Sequence, residues 1–190
     1  MNLKMRMRLL AVSCLPLLVA QAAAGCEGWD TQEFFGSTTL EEVTACLEAG
    51  AWANARSESG WTPLHRAAGF STNPAIVIAL LEAGVEVNDR DEDGNTPLHV
   101  AAVLNPNPAI ITALVAAGAE VDARNEDGRT PLHWAARFSD NPAAITALLD
   151  AGADTTALDA YGRSPWNYIR DREGLEGTDA LLRLYEGRPR

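Results

Sequence analysis

Three aspartates at alternate positions, Asp89, Asp91 and Asp93, are followed at once by Gly94. Oxygen ligands in that arrangement open a helix-loop-helix calcium site. Such a loop closes on a bidentate glutamate at its twelfth position, because the cation needs that last carboxylate to complete its shell. Counted from Asp89, the twelfth residue is Val100. The segment therefore reads as an acidic turn tip without a specific calcium site. The three histidines, His65, His99 and His133, stand 34 residues apart, whereas zinc ligands must converge on one point. No nucleophile with a matching base, no phosphate-cradling glycine loop and no carboxylate pair stands outside the repeat that these histidines mark. The expectation is no catalytic residue, no metal and no cofactor.

The elements around these residues are periodic. Gly60-Trp61-Thr62-Pro63-Leu64-His65 recurs as Gly94-Asn95-Thr96-Pro97-Leu98-His99, as Gly128-Arg129-Thr130-Pro131-Leu132-His133, and in degraded form as Gly162-Arg163-Ser164-Pro165-Trp166-Asn167. An Ala-Gly pair keeps the same step at Gly50, Gly84, Gly118 and Gly152. The carboxylates are not retained from copy to copy, but the turn glycine is.

Each copy predicts two helices. Pro63, Pro97 and Pro131 start the first, since proline at the first helical position forfeits only an amide that would be unpaired anyway. Paired alanines such as Ala67-Ala68 keep its inner face small. Asn73-Pro74, Asn107-Pro108 and Asn141-Pro142 cap and start the second. Its apolar residues (Val77, Leu80 and Leu81; Ile111, Leu114 and Val115; Ile145, Leu148 and Leu149) predict one buried stripe. Gly84, Gly118 and Gly152 fit the left-handed position that ends it. At the N-terminal end Thr39 and Glu42 predict a capping box, and Asp30 and Glu33 are available for the helix before it. Phe70, Leu104 and Phe138 hold one register and are expected to pack under the loop between helices. Arg170, Arg172, Arg183 and Glu186 are available for the polar outer face of the last unit.

With Thr-Pro-Leu-His-x-Ala-Ala in three full copies, at Thr62–Ala68, Thr96–Ala102 and Thr130–Ala136, the chain resembles the ankyrin repeat family over about residues 27 to 186. The resemblance implies an all-α repeat solenoid, a stack of about five helix-turn-helix units with β-turn or hairpin connections. The units would fall at about 27–59, 60–93, 94–127, 128–161 and 162–186. The extra residue over the family's unit of about 33 falls in the loop between the two helices. In this family the histidine bonds within and between turns, and partners dock on the concave surface.

Residues 1–24 differ in kind. Lys4, Arg6 and Arg8 precede an apolar run from Leu9 to Ala20, and Ala22-Ala23-Ala24 offers a cleavage site, so a signal peptide is expected, with the repeat domain at 25–190. Its removal takes three of the fifteen basic residues and none of the twenty-six acids, which leaves a net charge of −14. That surface repels nucleic acid and anionic membrane. The address expected is periplasmic or secreted, with no membrane insertion after cleavage and a monomeric protein. Cys26 and Cys46 remain, and an even pair in an oxidising compartment reads as a disulfide. The alternative is a lipid anchor on Cys26, because Ala-Ala-Gly-Cys ends like a lipoprotein signal, with Ala23 where such signals usually carry leucine.

Function is sought where the repeat breaks. The residue after each turn glycine runs Trp61, Asn95, Arg129, Arg163, and one first-helix column runs Arg66, Val100, Trp134, Tyr168. Both columns face the concave surface in ankyrin proteins, and tryptophan and arginine are the commonest interface anchors. Trp61, Arg66, Arg129, Trp134 and Arg137 are therefore the expected contacts for a protein partner of unknown identity, one that presents carboxylates framed by apolar surface. The expected function is a non-enzymatic, exported protein-binding module. Exported bacterial ankyrin proteins of similar build include ones that support catalase-dependent peroxide resistance, which makes an accessory factor for a periplasmic enzyme the alternative. A hydrolase or metal-dependent enzyme is the third reading.

Overall fold

Each Thr-Pro pair opens a helix for a local reason. The threonine stays extended, and its side chain takes up an amide of the first turn while proline supplies a ready-made helical φ. The computed structural model describes residues 26, 28, 29, 31–170, 172 and 177–187. Residues 1–25, including the proposed leader, and Asp30 lie outside that set. The helices run α1 Gln32–Ser37, α2 Leu40–Glu48, α3 Pro63–Phe70, α4 Pro74–Glu82, α5 Pro97–Leu104, α6 Ala109–Ala116, α7 Pro131–Phe138, α8 Pro142–Asp150, α9 Pro165–Ile169 and α10 Asp179–Glu186. Among the described residues there is no strand. The chain is thus an all-helical repeat stack.

The helices form two rows. α1, α3, α5, α7 and α9 pack in succession, and α2, α4, α6, α8 and α10 pack in succession behind them. Leu64, Leu98 and Leu132 and the paired alanines of α3, α5 and α7 are fully buried where the rows meet. In the second row the buried residues are Ile76, Val77 and Leu80, then Ile110, Ile111 and Leu114, then Ala144, Ile145, Leu148 and Leu149. The stripe read in the sequence is buried at Val77, Leu80, Ile111, Leu114, Ile145, Leu148 and Leu149 and is widened by Ile76, Ile110 and Ala144, whereas Leu81 and Val115 are only partly buried. A helix between two neighbours buries a wider arc than a single stripe. Leu81 and Val115 instead line shallow outer grooves between α4 and α6 and between α6 and α8.

Caps follow the sequence with two adjustments. Asn73, Asn107 and Asn141 accept the amides of Ala75, Ala109 and Ala143, although α6 begins one residue after its proline. α1 is capped by Thr31, which accepts the Phe34 amide, with Glu33 in the first turn. The Thr39–Glu42 box closes in both directions, at 3.2 and 2.8 Å.

Three repeated bonds fasten unit to unit. Glu92, Glu126 and Ala160 donate their amides to Ser59, Asp93 and Asp127 of the preceding turn. Arg56, Arg90 and Arg124 each donate through Nη1 to two carbonyl oxygens, one four residues ahead and one 34 ahead. Asn105 donates to the carbonyl oxygens of Ala68 and Ser71, which closes the end of α3. Arg172 does the same for α7, donating to Ala136 and Ser139 while pairing with Asp140, so it is a clamp and not a loose outer charge. At the N-terminal end the Sγ atoms of Cys26 and Cys46 lie at bonding distance, 2.07 Å, and the Cα atoms are 5.7 Å apart.

Candidate partner-binding face

The histidine column forms the floor of the first-helix face. His65, His99 and His133 are 0% exposed, and each Nε2 lies 2.9–3.1 Å from the carbonyl oxygen of Asn95, Arg129 or Arg163 in the next turn. A carbonyl can only accept, so Nε2 carries the proton. Nδ1 then accepts from the threonine amide and hydroxyl at the start of the same helix. Both ring nitrogens are spent in the neutral form. Burial lowers all three pKa values, that of His99 to about 4.

An aromatic ring covers each histidine. Trp61 stacks over His65 at 6.0 Å, Trp134 meets His99 edge-on at 6.0 Å, and Tyr168 meets His133 edge-on at 6.2 Å. The rings carry arginines in turn. The Arg66 guanidinium lies 4.6 Å from the Trp61 centroid, and Trp61 also stacks on Phe70. Arg137 lies 4.8 Å from Phe138 and 5.4 Å from Tyr168. Arg163 lies 4.7 Å from Tyr161 and 4.8 Å from Tyr168. Phe138 meets Trp134 edge-on. Phe70 and Phe138 thus belong to these ring clusters, and Phe138 and Leu104, each 45% exposed, are not tucked under a loop. The rings need the flat apolar support, and the loops are already closed by polar bonds.

Arg129 differs from the exposed side chain that the sequence suggests. It is 9% exposed, bonded to Asp127 at 2.6 Å and 3.7 Å from Asp159. Its Nε donates to the Tyr168 hydroxyl, which donates in turn to Asp159. Burial alone would lower the Arg129 pKa, but Tyr168, Asp127 and Asp159 together raise it. Asp159 is held low against its own burial by bonds from Tyr168 and from the Arg163 and Tyr161 amides. Arg129 is therefore a brace. Trp61, Arg66 and Trp134 are half-buried, and Arg137 is exposed.

Two guanidinium groups stand apart from the rest. Among the described residues, the side chains of Arg66 and Arg137 have no hydrogen bond and no carboxylate within 4 Å, whereas Arg56, Arg129, Arg163, Arg172 and Arg183 all pair with aspartates.

The acidic turn that opens like a calcium loop is occupied by its own backbone. Asp91 Oδ1 accepts the amides of Asp93 and Asn95, its Oδ2 accepts the Asn95 side chain, and Asp89 pairs with Arg56 at 2.7 Å. Ser57, Asn125 and Asp159 close the other turns from the same column. Among the described residues no three His, Cys, Asp or Glu side chains come together as a metal site needs. No helix there is long and apolar enough to cross a membrane.

Sequence reasoning selected Trp134 and Arg137 but passed over Tyr161, Arg163 and Tyr168, which complete their cluster. The signal was present, since Arg163 and Tyr168 stand in the two variable columns and Tyr161 replaces an acid at the turn tip. The arginine staple was equally visible as Arg56, Arg90 and Arg124, one per period.

A family model for ankyrin repeats in three copies matches residues 72–159. No curated protein matches the chain. The helix pairs on either side of the matched segment continue the same two rows, so the ankyrin repeat stack that residues 72–159 match extends through the neighbouring helices.

Proposed function

We propose that this chain is an exported, non-enzymatic protein-interaction module that binds its partner on the first-helix face, the concave one in ankyrin proteins, and on the adjoining turn tips. The observation that supports this reading is the gathering of repeat-breaking side chains into two clusters on that face. One is Trp61 with Arg66, and the other is Trp134 and Arg137 with Tyr161, Arg163 and Tyr168. Arg129 holds the second cluster rigid through Asp127 and Asp159. Pre-set aromatic and guanidinium groups lose little freedom on binding, which is what interface anchors require.

Residues 1–24 serve as the signal peptide, and the repeat domain from residue 25 works in the periplasm or outside the cell as a monomer. The Cys26–Cys46 bridge suits that oxidising address.

Affinity capture from native periplasm tests the reading. Trp134→Ala/Arg137→Ala should weaken capture by about 2 kcal/mol. Because Trp134 covers His99, the Arg137→Ala single variant is the control that leaves the scaffold whole. Capture unchanged by both variants would remove the function from this face, and turnover by the purified chain would overturn the non-enzymatic assignment. A captured enzyme would make the chain its accessory factor.

A further inference from the structure

We infer that the partner segment seated on this face is acidic and extended, with two carboxylates about six residues apart, one for Arg66 and one for Arg137. The inference rests on the protein-binding reading and specifies its chemistry. A chain of net charge −14 without residues 1–24 leaves these two guanidinium groups without an anion. Each rests over a ring, 4.6 Å from the Trp61 centroid or 4.8 Å from that of Phe138, and a guanidinium so supported can still take a bidentate carboxylate.

A second observation agrees. Among the described residues, Arg66 Nε, Trp134 Nε1 and Arg163 Nε, all in the two clusters, are closed to solvent without a hydrogen-bond partner, with Arg163 Nε 3.7 Å from Asp159. Covered as they are, they are not contact atoms, but all three are donors, whereas a lysine-rich segment would need acceptors.

The spacing follows from the rows. Arg66 is on α3 and Arg137 on α7, with α5 between. Packed helices lie about 8–10 Å apart, so the two groups are roughly 20 Å apart, a span that an extended chain crosses in about six residues. An even spacing also places both carboxylates on the same side of that chain. Between them the segment meets half-exposed Leu104 and avoids the acidic tips at Glu92, Asp93 and Glu126.

Fluorescence anisotropy of the full chain without residues 1–24 tests this with a labelled peptide of about twelve otherwise uncharged residues carrying two glutamates six apart. Saturable binding is expected. Changing either glutamate to glutamine should weaken it by about tenfold, as loss of a charge-assisted bond does. In Arg66→Gln or Arg137→Gln protein, the matching glutamate should no longer contribute. Equal binding of the glutamine or lysine peptide, indifference to both arginine variants, or tighter binding of a DNA oligonucleotide through the same arginines would overturn the inference. Native capture that survives Arg66→Gln/Arg137→Gln would leave the protein-binding reading standing and sink the acidic segment.

Discussion

His99 donates its Nε2 proton to the carbonyl oxygen of Arg129, 3.0 Å away and thirty residues on, while its Nδ1 accepts from the amide and hydroxyl of Thr96. One neutral imidazole thereby starts its own helix and ties down the next turn, where Arg129 braces the candidate binding face. A proton on Nδ1 would remove the acceptor and place a charge at a fully buried site.

Acid should therefore loosen the stack in a defined window. Burial lowers His99 from 6.5 to about 4, against the opposing pull of the Arg129 carbonyl. As pH falls, the unfolded chain takes up this proton first, so the contribution is complete above about 6.5 and is lost progressively down to about 4. The loss is about 3 kcal/mol for His99, and His65 and His133 act in the same direction. Denaturant melts at several pH values check it. His99→Gln should flatten the slope in that window, and an unchanged slope would exclude the histidine column as its source.

Two glycines with almost the same backbone angle should respond differently to alanine. Gly84 and Gly94 have φ of +88° and +77°, but a Cβ at Gly84 meets nothing within 4 Å, whereas one at Gly94 comes 3.1 Å from the Glu126 amide nitrogen. Gly84→Ala should cost about 1 kcal/mol for the left-handed backbone alone. Gly94→Ala should cost more, because it also parts one turn from the next. Equal losses in thermal midpoint would refute the role of turn-to-turn contact.

Removing an arginine should cost stability only where it staples units. Arg90 Nη1 donates to the carbonyl oxygens of Gly94 and Arg124 at 2.9 and 2.6 Å, so Arg90→Met should lose about 1 kcal/mol, discounted for its exposure. Arg137→Met should leave the melt almost unchanged and affect only partner capture. A reversal of the two results would interchange scaffold and surface.

Reduction of the mature protein should raise its mass by two hydrogens and lower its stability. The loop closed between Cys26 and Cys46, a separation of 20 residues, restricts the unfolded chain by about 3 kcal/mol. Intact mass should also place the N-terminus close to Gly25. A diacylglycerol on Cys26, or two free thiols before reduction, would refute this arrangement.

The sequence alone determined what each unit solves for itself. The Thr-Pro helix start, the Asn-Pro cap, the terminating glycine and the 34-residue step involve partners within a few residues, and a locally satisfied solution repeats visibly when the unit repeats. Only the tertiary structure decided what one unit asks of the next. Arg129 looked like a free anchor because Asp159 and Tyr168, which turn it inward, lie 30 and 39 residues away, at the far end of its own unit and in the first helix of the next. The buried arc of α4, α6 and α8 is widened by Ile76, Ile110 and Ala144 for the same reason, since two flanking helices and not one periodic stripe define it. Arg137 reads in sequence like Arg129. It remains available to a partner because the carboxylates around Tyr168 are held by Arg129, Arg163 and the Tyr168 hydroxyl, a distribution of charge that exists only once the units are stacked.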